Sequence, residues 1–122
     1  TGLARPQQAV GIAVQGDSLQ LPSRAATALA VVVNELVQNS LEHAFVGRNA
    51  GHIDIVLAHA PDALLVVVRD DGVGLPDELP RSLGLEIAEA LVADDLHGEL
   101  QFVRRPIGAE VRIRLPRTQE RD

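Results

Sequence analysis

Three short stretches of this chain gather residue types able to do chemistry. In the first, Asn34, Glu35, Asn39, Glu42 and His43 interrupt an otherwise apolar run. The spacing 35, 39, 43 places Glu35, Asn39 and His43 on one helical stripe, because residues four apart share a face. A carboxylate beside an amide oxygen suits a hard divalent cation such as Mg²⁺, which takes oxygen ligands and keeps its own waters. The same triplet is also what the solvated face of an amphipathic helix carries.

The second stretch, Arg69-Asp70-Asp71-Gly72-Val73-Gly74-Leu75-Pro76, follows a run of apolar residues. Asp70 ends the apolar run, and Gly72 and Gly74 remove side chains so that backbone can approach a flat ligand. One carboxylate at the base of an apolar pocket accepts a hydrogen bond from an exocyclic amine, which suits adenine and disfavours guanine. A glycine-rich turn with no ligand is the alternative. The third stretch is Ser82-Leu83-Gly84-Leu85, a glycine at the entry of a helical pattern. Free backbone N–H groups and the helix dipole there favour an anion such as a phosphate.

Composition removes many other chemistries. All 11 cationic residues are Arg, and Lys, Cys, Tyr, Trp and Met are absent. A thiol nucleophile, a cysteine zinc site, a Schiff-base lysine and a P-loop lysine are therefore excluded within these residues. The net charge of −6 and only two aromatics, Phe45 and Phe102, argue against a nucleic-acid surface. No apolar stretch approaches the roughly 20 residues of a membrane helix, so no membrane contact is expected. The lack of Cys fits a reducing, cytoplasmic setting.

The elements that must position these stretches follow from periodicity. With 122 residues, 46% of them hydrophobic and 23% charged, one globular domain is expected. The chain begins at Thr1 and shows no internal linker. It reads as a single domain, 1–122, excised from a larger protein, with flexible ends at 1–8 and 117–122. Ala9 to Gln15 reads as a strand closed by Gly16-Asp17, and Leu19 with Leu21 as a brief second strand. From about Arg24 to Phe45, apolar positions recur at three- and four-residue steps, with Ser40 in the apolar register and Ser23 as N-cap. His52 to His59 and Ala63 to Arg69 read as a hairpin, Asp70 to Pro80 as a loop, and Leu83 to Leu91 as a second helix closing near Asp94-Asp95. Glu99 to Arg104 and Glu110 to Leu115 form the last hairpin. This order implies an α/β two-layer sandwich, a mostly antiparallel sheet with helices on one face.

Taken in order, Asn34 to Phe45 (NELVQNSLEHAF), Asp70 to Gly74 (DDGVG) and Ser82 to Ile87 (SLGLEI) resemble the N, G1 and G2 boxes of the ATP-binding catalytic domain of sensor histidine kinases. That fold, a mixed sheet backed by helices, is shared with gyrase, Hsp90 and MutL ATPases, and the resemblance runs from about Ala9 to Pro116. The form of the boxes is most similar to a soluble, often actinobacterial subclass. The resemblance implies ATP and Mg²⁺ as cofactors. It makes Asn39 the Mg²⁺ ligand, Glu35 the polarising, catalytic carboxylate and His43 a contact to adenine. It also implies that Asp70 accepts from the adenine amine, that Gly72 and Gly74 shape the pocket wall, and that Leu83, Gly84 and Leu85 bring backbone to the phosphates.

The implied activity is a protein-histidine kinase donating the γ-phosphate to a histidine on a separate upstream dimerisation and phosphoacceptor domain, with a response regulator downstream. His52, His59 and His97 are expected to be structural or surface residues. Three positions depart from the family pattern. Glu42 stands where many relatives carry Lys, either beside the phosphates or out in solvent against Arg48. Only Leu75 to Arg81 separate the two glycine boxes, without the usual phenylalanine box, and Ala109 replaces a frequent Thr. Two alternatives share the boxes: a serine kinase of the anti-sigma-factor type, whose usual tryptophan and GRGL-like box are missing here, and a degenerate nucleotide-binding module.

Overall fold

The computed structural model describes residues 9–79 and 81–117; the expected flexible ends 1–8 and 118–122 lie outside them. Arg117, counted with the second end, instead donates from Nη1 to the Ala60 carbonyl at 2.9 Å. The elements run β1 (Ala9–Gly16), α1 (Ser23–His43), β2 (Ala50–Ala60), β3 (Ala63–Asp70), α2 (Leu83–Ala90), β4 (Glu99–Arg104) and β5 (Ala109–Pro116). A π-helical turn, Leu91–Asp95, continues α2.

One five-stranded sheet has the order β1-β2-β3-β5-β4. β1 and β2 are parallel, so α1 must carry the chain back across the sheet between them; the remaining pairs are antiparallel, with turns joining β2 to β3 and β4 to β5, and α2 carrying the chain from β3 to the edge strand β4 so that β5 returns beside β3. The expected two-layer α/β sandwich with a mixed, mostly antiparallel sheet is what forms. Strand alternation sends Ile53 and Ile55 of β2, Leu64, Val66 and Val68 of β3, and Val111, Ile113 and Leu115 of β5 into the helix layer. Val32 and Leu36 of α1 and Leu85 and Ala88 of α2 meet them in one buried cluster. Each fully buried aliphatic side chain of this kind contributes about 1.5–3 kcal/mol.

Two local expectations are corrected. Leu19 and Leu21 form no strand: β1 ends at Gly16, and the two leucines pack half-buried against the core. Ser23 is inside α1, not its cap; Pro22 holds the cap position and its carbonyl accepts the Ala26 N–H at 2.9 Å. The second helix closes at Asp95 as expected, its last turn widened into the π turn, with both Val92 and Leu96 buried.

On the sheet face away from the helices, Glu110 is buried among Arg69, Arg105 and Arg112. Burial alone pushes its carboxyl up, but hydrogen bonds from Arg112 and Arg69 and their attraction outweigh this and hold the pKa below the usual glutamate value. A depressed folded-state pKa stabilises the fold above the ordinary range near pH ~4.3, and that stability is lost as pH falls through the lower folded value. Glu110→Gln is therefore expected to cost about 2 kcal/mol at neutral pH. Urea melts of both proteins between pH 7 and pH 3 should show the difference shrinking on acidification.

Candidate functional site

Alternation along β3 that buries Leu64, Val66 and Val68 also sends Asp70 toward the helices, where only 7% of it is exposed. Its carboxylate is held on both oxygens. Oδ1 accepts the Gly72 N–H at 2.9 Å, and Oδ2 accepts the Ser40 hydroxyl of α1 at 3.2 Å. A buried carboxylate without such partners would cost several kcal/mol.

The loop after β3 is pressed onto the end of α1. Val73 N–H donates to the Ala44 carbonyl at 2.8 Å. A Cβ on Gly72 would lie 2.2 Å from that same oxygen, so only glycine allows this approach. Asp71 braces the loop from the other side: its N–H donates to the His52 carbonyl at 3.2 Å and its Oδ1 accepts the His52 N–H at 2.8 Å. Arg48 donates to the Asp71 carbonyl at 2.7 Å. Arg48 thus engages the loop backbone, while Glu42 Oε1 lies 3.8 Å from His43 Nε2.

Two cavities meet at Asn39 and Leu85. The apolar one, about 360 Å³, is walled by Leu36, Ala44, Val73, Leu75, Pro76, Leu79, Leu85, Phe102 and Val111, with Asn39, Ser40, His43 and Asp70 as its polar groups. An apolar volume with a few convergent polar groups is the form of a small-molecule site. The second, about 390 Å³, is polar and lined by Glu35, Gln38, Asn39, Glu42, Ser82, Gly84 and Leu85. Ser82 caps α2, its Oγ accepting the Leu85 N–H at 3.1 Å. A Cβ on Gly84 would lie 1.9 Å from Glu35 Oε1, so the missing side chain lets this carboxylate rest against the first turn of α2.

Of the residues singled out from sequence, Asn39, His43, Asp70, Gly74 and Leu85 line the apolar cavity, and Glu35, Asn39, Gly84 and Leu85 the polar one. Gly72 lines neither; it is the contact on Ala44 that brings the loop in. Leu83 also lines neither, and its side chain is 73% exposed because α2 turns Leu85 and Ala88 to the core. His52 and His59 are exposed strand residues, and exposed His97 follows the π turn with φ of 53°. Sequence reasoning missed Ser40 and the wall from Leu75, Pro76, Leu79, Phe102 and Val111. Ser40 carried a signal, a hydroxyl in an apolar register; the wall carried none, since it is assembled from a loop and two distant strands.

The two glycines differ in what a methyl group would meet. At Gly72 it strikes backbone, which cannot yield, and Gly72→Ala is expected to lose about 3 kcal/mol. At Gly84 it strikes the end of a flexible side chain, and the helix-propensity gain of up to about 1 kcal/mol offsets moving Glu35. Chemical denaturation should find Gly84→Ala within about 1 kcal/mol of the parent.

Comparisons with known proteins agree with this fold. The sequence pattern described as histidine kinase-, DNA gyrase B-, and HSP90-like ATPase matches residues 25–119. The sensor histidine kinase PdtaS of Mycobacterium tuberculosis is 44% identical over 107 residues, covering 83% of this chain and 21% of that protein. This chain thus spans about a fifth of the length of that relative. The histidine kinase domain of the blue-light-activated histidine kinase EL346 of Erythrobacter litoralis superposes with a TM-score of 0.81 at 32% identity, over 92% of this chain and 54% of that one. The histidine kinase ThkA, in its complex with the response regulator TrrA, superposes with a TM-score of 0.70 at 25% identity, over 93% of this chain and 36% of that one. Three boxes in order, a matching fold and these identities lead to one assignment: the chain belongs to the histidine kinase-, DNA gyrase B- and HSP90-like ATPase family.

Proposed function

We propose that this domain binds Mg-ATP and donates the γ-phosphate to a histidine on a separate dimerisation and phosphoacceptor domain of a two-component sensor kinase. The observation that carries the reading is the junction of an apolar cavity holding the Asp70 carboxylate with a polar cavity at the N-terminus of α2, through Asn39. Adenine enters the apolar cavity and its exocyclic amine donates to Asp70, while His43 flanks the base. Gly72 and Gly74 keep the loop close enough to form the wall. The triphosphate runs past Asn39 toward the backbone of Leu83, Gly84 and Leu85, where the helix dipole favours negative charge.

The donor set fits Mg²⁺. Asn39 offers an amide oxygen and Glu35 lines the same cavity, both hard oxygen donors suited to an ion that keeps waters and takes phosphate oxygens. When bound, the ion supplies charge neutralisation at the phosphates. Glu35 is the carboxylate that polarises the attacking imidazole; its nitrogen bonds to the γ-phosphorus as the bond to the ADP oxygen breaks. The acceptor then hands the phosphoryl group to a response regulator, a partner type that the ThkA complex with TrrA supports.

Asp70→Asn keeps the side-chain size but removes a charge-assisted acceptor, and ATP affinity is expected to fall by about 1.5–3 kcal/mol. Calorimetry should also find ATP bound better than GTP by the parent. Asn39→Ala should abolish the Mg²⁺ dependence of ATP affinity while leaving metal-free ADP binding nearly intact; a parallel loss of both would make Asn39 a structural residue.

Glu42 lines the polar cavity three residues beyond Asn39, where its charge opposes the phosphates. Unit charges at 4 Å interact by about 4 kcal/mol at an effective dielectric of 20, and bound Mg²⁺ with solvent reduces this to about 1 kcal/mol. Glu42→Lys is expected to tighten ATP roughly tenfold at low salt, with less effect on ADP. An unchanged ATP/ADP ratio would place Glu42 away from the terminal phosphate.

A further inference from the structure

The segment 75–79 between the two glycine boxes has no helix or strand, yet Leu75, Pro76 and Leu79 form one wall of the apolar cavity. Such a segment needs partners for its backbone carbonyls from elsewhere. Two successive carbonyls find them on a single side chain: Arg104 donates from Nη1 to the Leu75 oxygen at 2.9 Å and from Nη2 to the Pro76 oxygen at 2.8 Å. Arg104 ends β4, two residues after Phe102, which lines the same cavity, so alternation brings both to the same face of the strand. The far side of the segment is tied as well, by Arg81 Nη2 on Glu89 Oε1 of α2 at 3.3 Å.

From this we infer that Arg104 is a positioning residue for the nucleotide, holding the 75–76 backbone as a preformed wall against the base so that binding need not order it. The inference rests on the Mg-ATP reading above. A guanidinium presents two N–H groups in a rigid plane and can hold both carbonyls at once, whereas an ammonium is a point donor. Pro76 adds stiffness by fixing φ. Because the wall faces the apolar cavity and not the polar one, its loss affects ATP and ADP alike.

The test uses the 122-residue domain with ATP and ADP, measuring affinity by calorimetry and dissociation by stopped-flow displacement of a fluorescent ADP analogue. Arg104→Met keeps the aliphatic stem and removes the fork. It is expected to raise the dissociation rate about tenfold, with the association rate little changed and both nucleotides weakened equally. Arg104→Lys should recover part of the loss, about threefold from the parent. The tether is exposed, so the melting temperature of the unliganded domain should stay within about 3 °C of the parent. Unchanged dissociation in Arg104→Met would overturn the inference, as would a loss confined to ATP, which would put Arg104 on the terminal phosphate. A fall in binding matched by a large fall in melting temperature in both variants would reduce it to a structural residue. Failure of the parent itself to bind adenine nucleotides would instead overturn the Mg-ATP reading on which it rests.

Discussion

The closure of the loop after β3 onto the end of α1 is the constraint from which the rest of the site follows. Ala44 accepts the Val73 N–H, and Gly72 sits against the same carbonyl with no room for a side chain. That contact fixes the distance between the strand carrying Asp70 and the helix carrying Asn39, Ser40 and His43. Asp70 then needs no charge partner to be buried, because Gly72 and Ser40 supply hydrogen bonds to its two oxygens. A carboxylate satisfied in this way still has lone pairs directed at the cavity, since each oxygen offers two. The loop that walls the apolar cavity and the carboxylate at its edge are thus set by one packing event.

Electrostatics divides the site in two. The apolar cavity carries one carboxylate held at its edge, while the polar cavity carries Glu35 and Glu42 with no Arg among the described residues that line it. An anionic ligand entering the polar side meets like charge, worth about 4 kcal/mol per pair at 4 Å in an effective dielectric of 20. A divalent cation reverses that balance, and the N-terminus of α2 adds to it. Metal and triphosphate are therefore expected to enter together, whereas the base side is independent of metal. The arginines serve elsewhere: Arg48 and Arg104 hold loop carbonyls, and Arg69, Arg105 and Arg112 surround Glu110 on the opposite sheet face.

Much of this was legible from sequence because the signals were local. A three-and-four periodicity over two dozen residues specifies α1, and the i, i+4 rule places Glu35, Asn39 and His43 on one stripe whatever the surroundings. The layer order and a mostly antiparallel sheet followed from the succession of strands and helices, while the parallel β1–β2 pair came only with the family resemblance. What escaped was tertiary. Leu19 and Leu21 alternate as a strand would but have no partner to pair with, and the core claims them as isolated apolar contacts instead. Ser23 has the chemistry of a cap, but the preceding proline, with its fixed φ, takes the turn. Leu83 belongs to the stretch that resembles the G2 box, yet its side chain faces outward and only backbone remains available there. Phe102 and Arg104 stand two residues apart on a late strand, with nothing in the local pattern to connect them to a loop some thirty residues earlier.

The central claim is that Asp70 reads the base and Asn39 sits at the metal and phosphates, across one continuous site. A crystal structure of the domain with Mg²⁺ and a non-hydrolysable ATP analogue tests it most directly. The account predicts the adenine amine within about 3.0 Å of an Asp70 oxygen and a hydrated Mg²⁺ bridging Asn39 to the phosphates, with the last phosphate beside Gly84. A base lying outside the apolar cavity, or a metal that leaves Asn39 free, would contradict it.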